Sequence, residues 1–455
     1  VTVLAILATT LVAAALFLSS CPVPHGRTGG TLPSFRFAGP ASLRPSPDTA
    51  LFAEIGDGFP GSRAGSAVFL DADGDRRLDF VLTGSDDAGY IGSLYRNIRG
   101  RFVSVSSPFP KIRTQHGLAC ADYDGDGDVD VAMAGIFEPT ALQSAARIFR
   151  NDGGAFTDIH APLEGLSGGP VLWIDFDGDG DLDLLIGGSP DQGVTLTTKI
   201  YRNDGGSFTE SGVRLPSLWA SSAGAGDLDG DGDTDLFLMG YNGSIPSAGI
   251  YWNTGGTFAD AKIPVVGALN GDAALVDYDA DGDIDIAYSG TTQYGPTTKL
   301  LRNEGRGAFT DVFQGWDRLE VSAMAWADID KDGDLDMAES GIARASTGDL
   351  STAVYRNENG VFVDVGASLP GVWCGSLAWG DVDDDGWPDL LVTGGTALGL
   401  LNDSAWPGPY EPITRIYRNT GRWTSPSDLP GSAGERTIRL PPRPARRGVF
   451  PPGRG

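Results

Sequence analysis

The sequence predicts an all-β fold, a seven-bladed β-propeller of four-stranded blades with one Asp-rich loop per blade. Three observations predict it. The 455 residues include 66 glycines, which suits a chain dense in turns rather than helices. No fold-length stretch sustains apolar residues at the helical i, i+3, i+4 spacing. A pattern of about 50 residues, the size of a propeller blade, recurs along the chain.

The repeat carries two markers in register. The first is a nine-residue loop, Asp-x-Asp-x-Asp-x-x-x-Asp. Its first, third, fifth, seventh and ninth residues are Asp71, Asp73, Asp75, Arg77 and Asp79 in the first copy, and Asp122, Asp124, Asp126, Asp128 and Asp130 in the second. The third copy has Asp175, Asp177, Asp179, Asp181 and Asp183, and the fourth Asp227, Asp229, Asp231, Asp233 and Asp235. The fifth has Asp277, Asp279, Asp281, Asp283 and Asp285, and the sixth Asp328, Asp330, Asp332, Asp334 and Asp336. The seventh has Asp381, Asp383, Asp385, Trp387 and Asp389. Successive loops start 51, 53, 52, 50, 51 and 53 residues apart. The second marker is Tyr-Arg-Asn or a close variant, ending at Asn97, Asn151, Asn203, Asn253, Asn303, Asn357 and Asn419. Each is followed by Gly and then an aromatic, as in Asn203 to Phe208.

Each copy yields four strands. One apolar run enters the loop (Val171–Ile174) and another leaves it (Leu184–Ile186). A third strand ends at the Asn marker, and an Asn-Asp-Gly-Gly turn starts a short fourth strand. One such sheet cannot bury both faces alone, so the copies are expected to close into a ring. Six residues before the loops stand Gly65, His116, Gly169, Ser221, Gly271, Ser322 and Gly375, which predicts crowding near a central axis. Two residues before them stand Phe69, Cys120, Trp173, Ala225, Leu275, Trp326 and Trp379, expected to pack between blades. The seventh copy lacks a good fourth strand, because Pro426 cannot donate to a ladder. Phe52–Ile55 near the N-terminus matches that strand and is expected to supply it.

The loops predict calcium, up to seven ions. Calcium takes six to eight oxygens from carboxylates and carbonyls, and the pattern offers carboxylates at positions 1, 3, 5 and 9 and a carbonyl at 7. Gly at position 6 permits the sharp turn, and Arg76 in its place makes the first site the weakest expected. An EF-hand would need Glu at position 12, where six of seven copies lack it. The four ligand positions hold 28 of the 60 acidic residues, and seven calcium ions would bring the formal charge from −27 to −13. That acidity argues against nucleic acid or anionic lipid as partner.

The flanks read differently. Residues 1–21 form an apolar run ending Leu18-Ser19-Ser20-Cys21, which reads as a secretion signal with a lipobox that would lipidate Cys21, or as an uncleaved membrane anchor. Either way the rest is expected to be exported, to the cell envelope or beyond, with membrane contact only through that N-terminal lipid or anchor. Residues 22–50 read as a Pro/Gly/Ser-rich linker, 51–423 as the propeller, and 424–455 as a basic, Pro-rich, disordered tail. Cys120 and Cys374 sit at different offsets of non-adjacent copies and read as two buried thiols.

With these motifs the chain resembles the FG-GAP/VCBS repeat family, whose best-known relatives form the propeller heads of integrin α-subunits. The resemblance covers about residues 51–423. It implies calcium loops between the first and second strands of each blade, on the lower face, with the Asp residues above as ligands. It also implies extracellular adhesion, protein binding or carbohydrate binding. Seven loops look more like bacterial surface and secreted relatives than integrins. Ligands are then expected at the opposite face, where Arg63, Thr114, Ser167, Trp219, Leu269, Glu320 and Trp373 stand eight residues before the loops. Trp219 and Trp373, with His116 nearby, are the candidate contacts, for instance to a sugar; alternatively the tryptophans cap the blade core. A monomeric binding module for a protein or carbohydrate is the leading expectation. The alternatives are a calcium-dependent polysaccharide lyase or glycoside hydrolase on a propeller scaffold, and a scaffold part of an envelope complex. Three histidines and the lack of HExxH or GxSxG motifs argue against an enzyme.

Overall fold

The computed structural model describes residues 50–55, 58–138, 143–312, 318–344, 349–396, 411–423 and 437–439. The segment with Cys21, the linker to residue 49 and most of the C-terminal tail lie outside the described residues. Among the described residues every regular element is a β-strand.

The polarity of each run decides its place in a sheet. In the third copy, Val171–Ile174 pairs with Asp183–Gly188, that strand with Thr197–Asp204, and that in turn with Ser207–Glu210, all antiparallel. The second strand, DLLIGG, is buried throughout because both of its faces are covered. The fourth, SFTE, is exposed except for Phe208, as befits an outer edge. The other copies repeat this order. In the first and second copies, Ile112–Arg113 bridges Tyr90–Asn97 and Asp130–Phe137, which fuses two four-stranded units into one sheet.

The last sheet takes its fourth strand from the other end of the chain, as the sequence predicts. Phe52–Ile55 pairs antiparallel with Pro412–Asn419, register Phe52 to Asn419. The tail contains one departure from its expected disorder: Thr437–Arg439 adds antiparallel to Val361–Asp364 as a fifth strand of the sixth sheet. The open edge of Val361–Asp364 offers the unpaired backbone groups that recruit it.

The first strands are the common inner layer. Ala67–Leu70, Leu118–Ala121, Val171–Ile174, Trp219–Gly226, Ala273–Val276, Glu320–Ala327 and Leu377–Gly380 each touch the next, and the last touches the first. Aromatic groups fill the gaps between sheets. Trp173 stacks on Tyr123 of the preceding copy with centroids 5.3 Å apart, and Trp379 Nε1 donates to Ala325 O of the copy before it at 3.3 Å. The glycines six residues before the loops are needed for a different reason than the one the sequence suggested. A Cβ at Gly375 would stand 1.9 Å from Thr393 O, and one at Gly271 2.0 Å from Ser289 O. The crowding comes from the second strand of the same sheet, not from a central axis.

Two sets of backbone links join neighbouring copies, one at each end of the first strands. At the loop end, the marker Asn side chain donates through Nδ2 to the carbonyl of loop position 2 in the preceding copy. The seven bonds are Asn97 to Val382, Asn151 to Ala72, Asn203 to Tyr123, Asn253 to Phe176, Asn303 to Leu228, Asn357 to Tyr278 and Asn419 to Ile329, at 2.7–3.1 Å. At the other end, one residue per entry turn is left-handed: Ala64, His116, Gly168, Ala220, Asn270, Val321 and Cys374, with φ between 48° and 72°. Six of these are not glycine, and the conformation costs roughly 1 kcal/mol or more each. The turn aims polar backbone groups at the neighbouring copy. Ala64 N donates to Cys374 O, Cys374 N to Val321 O, and Asn270 N to Ala220 O.

The cysteine expectation needs correction. Cys374 is disulfide-bonded rather than a thiol, while Cys120 is a free thiol pushed up to about 12 by burial. The Cys374 side chain is fully buried in the apolar cluster of Ala64, Ile342 and Trp373.

Replacing one inter-copy Asn tests the loop-end links. Asn203→Ala leaves the Tyr123 and Leu182 carbonyls and the Gly206 N–H without their partner. Chemical denaturation of the calcium-loaded protein should show a loss of about 2–5 kcal/mol. Asp204→Ala, at an exposed neighbour, should stay within about 0.5 kcal/mol.

Candidate metal centre

Each Asp loop is organised by its own carboxylates before any ion is considered. Position 1 accepts N–H groups from positions 5 and 6: Asp126 N and Gly127 N both donate to Asp122, at 3.1 and 2.9 Å. Position 5 accepts from position 7, as Asp181 N to Asp179 at 3.0 Å. Positions 4 and 6 are left-handed throughout, and glycine meets that need at most of them. The first loop departs, since Arg76 holds φ 68° at position 6 where Gly127 has 96°. The Arg77–Asp75 ion pair stands beside it.

Position 9 opens the second strand and is buried in all seven copies. Its carboxylate is fixed from two directions. Oδ1 accepts the marker Asn backbone N–H, at 2.6 Å for Asp79 and Asn97 and 2.7–2.8 Å in the other copies. Oδ2 accepts the N–H of loop position 2, at 2.8–3.2 Å.

The folded loop brings positions 1, 3 and 9 together. Ligand oxygens of Asp71, Asp73 and Asp79 lie within 4.8 Å of one another, as do those of Asp122, Asp124 and Asp130, of Asp175, Asp177 and Asp183, of Asp227, Asp229 and Asp235, and of Asp277, Asp279 and Asp285. Two further such groups lie among the described residues. Asp75, Asp126, Asp179, Asp231 and Asp281, the position-5 residues, are not members of these groups. They stand close enough to press on them: Asp124, Asp177, Asp229 and Asp383 are raised above the usual carboxylate range by burial and then by the position-5 charge. Burial is the main cause at position 9 too. It raises Asp79, Asp183 and Asp235 to about 6, Asp130 and Asp389 to about 7, and Asp285 and Asp336 to about 8.

These groups fit a hard cation. Oδ1 of Asp73, Asp177, Asp330 and Asp383 is buried with no hydrogen-bond partner, and an all-oxygen donor set suits calcium. The other oxygen of each of these four faces the marker arginine: Arg96, Arg202, Arg356 and Arg418. One carboxylate oxygen is thus neutralised by the protein and the other is left for a ligand. Such an ion would supply charge neutralisation and hold positions 1, 3 and 9 in one place.

The opposite ends of the first strands carry the other predicted residues. Of the seven positions eight residues before the loops, Arg63, Thr114, Ser167, Leu269 and Trp373 are buried, and Trp219 and Glu320 are half-buried. Most of this ring is therefore framework, paired to the end of the second strand, as Ser167 to Ser189 and Trp373 to Gly395. Trp373 packs on Ala64, Ile342 and Cys374, which is the capping role. His116 Nδ1 stands 3.4 Å from Asp272 Oδ1, three copies away. Trp219 lines an open cleft with Gln115, Gln192 and Asn270. It lies over Gly168 and Gly193, where added Cβ atoms would be 2.4 and 3.1 Å from the indole.

Sequence reasoning passed over two sets of residues. The marker Asn was counted as a phase marker, though its recurrence in step with the Asp loops was the available signal. Asp272 replaces the Ser or small residue found at that offset elsewhere, and accepts from Ser222 Oγ and Met324 N at 3.1 and 3.0 Å.

The model of the FG-GAP-like repeat family matches residues 61–133, 175–238, 227–288 and 277–338. No curated protein matches the chain. Among solved structures, the V. cholerae biofilm matrix protein Bap1 aligns over 83% of this chain and 89% of its own, at 9% identity and TM-score 0.38. AofleA from Arthrobotrys oligospora aligns over 66% of this chain and 85% of its own, at 13% identity and TM-score 0.40.

Position 9 sets a pH dependence for the metal-free protein. Its folded pKa values, about 6 to 8, exceed the unfolded value of about 4. The folded state therefore holds protons that the unfolded chain has lost, and stability falls as pH rises through that window. With chelator present, the melting temperature should be higher at pH 5 than at pH 8. Saturating calcium should remove or reverse the trend.

Proposed function

The chain belongs to the FG-GAP-like repeat family, and on that premise we propose that it is an exported, calcium-binding, seven-bladed β-propeller. It acts as a monomeric binding or adhesion module for a protein or carbohydrate, with its calcium structural. The observation that carries this reading is the repeated group of three converging carboxylates with a buried, unpartnered oxygen at position 3.

Closure into seven blades is supported by the first strands, each in contact with the next and the last with the first. It is also supported by the Asn97 bond to Val382, which joins the first copy to the seventh. A structural ion is supported by what surrounds the carboxylates: they hold backbone N–H groups in place, and the position-9 residues are buried. Export is supported by the apolar N-terminal run and its lipobox-like end. The ligand end is the one opposite the Asp loops, because the loops and the entry turns leave opposite ends of the same short strands.

Chelation tests the structural role. At about 1 mM calcium, sites with dissociation constants of about 0.1–1 mM contribute roughly 0.4–1.4 kcal/mol each. Removing the ion should lower the melting temperature by roughly 5–10 °C; no change would reduce the loops to turns. A glycan array with and without chelator then tests the module. Calcium-dependent retention without turnover is expected, and product formation would move the protein to the polysaccharide-active enzymes.

A further inference from the structure

The end of the molecule away from the Asp loops carries a cleft whose chemistry is unlike the rest of the surface. It is small, about 80 Å³, and open to solvent, a platform rather than an enclosed site. The chain has a formal charge of −27, yet among the described residues no Asp or Glu lines this cleft, and the charged residue that does is Arg113. From these observations we propose that the cleft binds an acidic saccharide, a uronic-acid unit of a polysaccharide, with the sugar ring on Trp219 and its carboxylate toward Arg113. The inference rests on the binding-module reading and gives its ligand a class.

Each part of such a sugar has a matching group. A pyranose ring has one face of C–H groups, and a half-exposed indole gives it an apolar platform with a polar edge. Trp219 is held as that platform by Gly168 and Gly193, whose missing side chains let the ring settle against the backbone. A guanidinium matches a carboxylate in shape and charge. Arg113 is half-buried, and burial is the main cause that holds it below the usual arginine range. Ring hydroxyls need directional partners, and the lining supplies the side-chain amides of Gln115, Gln192 and Asn270.

The walls suit recognition without reordering. Ala220 and Asn270 on the lining are among the left-handed entry residues, and Asn270 N is bonded to Ala220 O at 2.9 Å. The site is thus carried by turns already fixed to their neighbours, which lowers the ordering cost of binding.

Calorimetry of the calcium-loaded full chain tests the proposal, using an oligogalacturonate and a neutral oligogalactose of equal length. The acidic oligomer should bind at least about tenfold more tightly than the neutral one. Trp219→Ala should weaken it by about tenfold or more, and Arg113→Gln should abolish the preference for acid. Calcium-loaded melting temperatures verify that the variants fold. If Arg113→Gln does not, added salt decides, since it should weaken the acidic oligomer and spare the neutral one. No binding of the acidic oligomer, equal binding of both, or indifference to Trp219→Ala would each overturn the proposal. That indifference is also the signature of an oligomer held by calcium at the Asp loops. Retention of some other glycan or a protein would overturn this assignment and leave the binding module standing; no retention of any ligand would remove both.

Discussion

Burying a carboxylate is costly unless hydrogen bonds and a countercharge meet it, and this chain does so once in every repeat. The ninth loop residue, Asp183 in the third copy, is fully buried at the start of the second strand. One oxygen accepts the N–H of its own loop at Phe176, and the other accepts the N–H of Asn203 on the third strand. The same Asn203 reaches with its side chain to Tyr123 O in the preceding copy. A single carboxylate therefore fixes the loop, the strand register and the residue that ties one sheet to the next. Two further carboxylates converge on it, and burial first, with their charges adding to it, raises its pKa.

The two ends of the inner strands solve the same problem by different means. At the Asp end, side-chain amides carry the links between copies, and the loop is exposed enough to admit an ion. At the entry end, backbone groups carry them, and the cost is a left-handed residue in every turn, even the β-branched Val321. Such strain persists only where surrounding bonds over-determine it. Both ends therefore hold neighbouring copies together, the Asp end through side chains and the entry end through backbone that leaves its side chains free to vary. Trp219, Gln192 and Arg113 occur at that end.

Much of this was legible in the sequence because it repeats. Four strands per copy, the Asp loop before the second strand and the supply of Phe52–Ile55 to the last sheet all follow from pattern and turn chemistry. What stayed hidden was contact across copies. The Asn side chain bonds to residues about 75–90 positions away, and no local pattern states that. Position 5 has the same residue type as positions 1, 3 and 9, and only the folded loop shows it turned to its own backbone. The ring eight residues before the loops was expected to face a ligand, yet its alternation with the second strand buries most of it. Trp373 and Trp219 occupy equivalent positions, yet Trp219 opens a continuous first strand while Trp373 makes an isolated bridge and is buried. Cys374 could not be read as a disulfide from the repeat pattern, since no other copy has a cysteine at its offset.

Native mass spectrometry of the chain titrated with calcium measures the central claim directly: converging carboxylates in each repeat hold an ion. The account predicts successive calcium adducts up to seven per chain. It also predicts that Asp177→Asn, which leaves the Asp183 hydrogen bonds untouched, lowers the limit by one. A chain that takes up no calcium, or whose stoichiometry ignores Asp177→Asn, would contradict it.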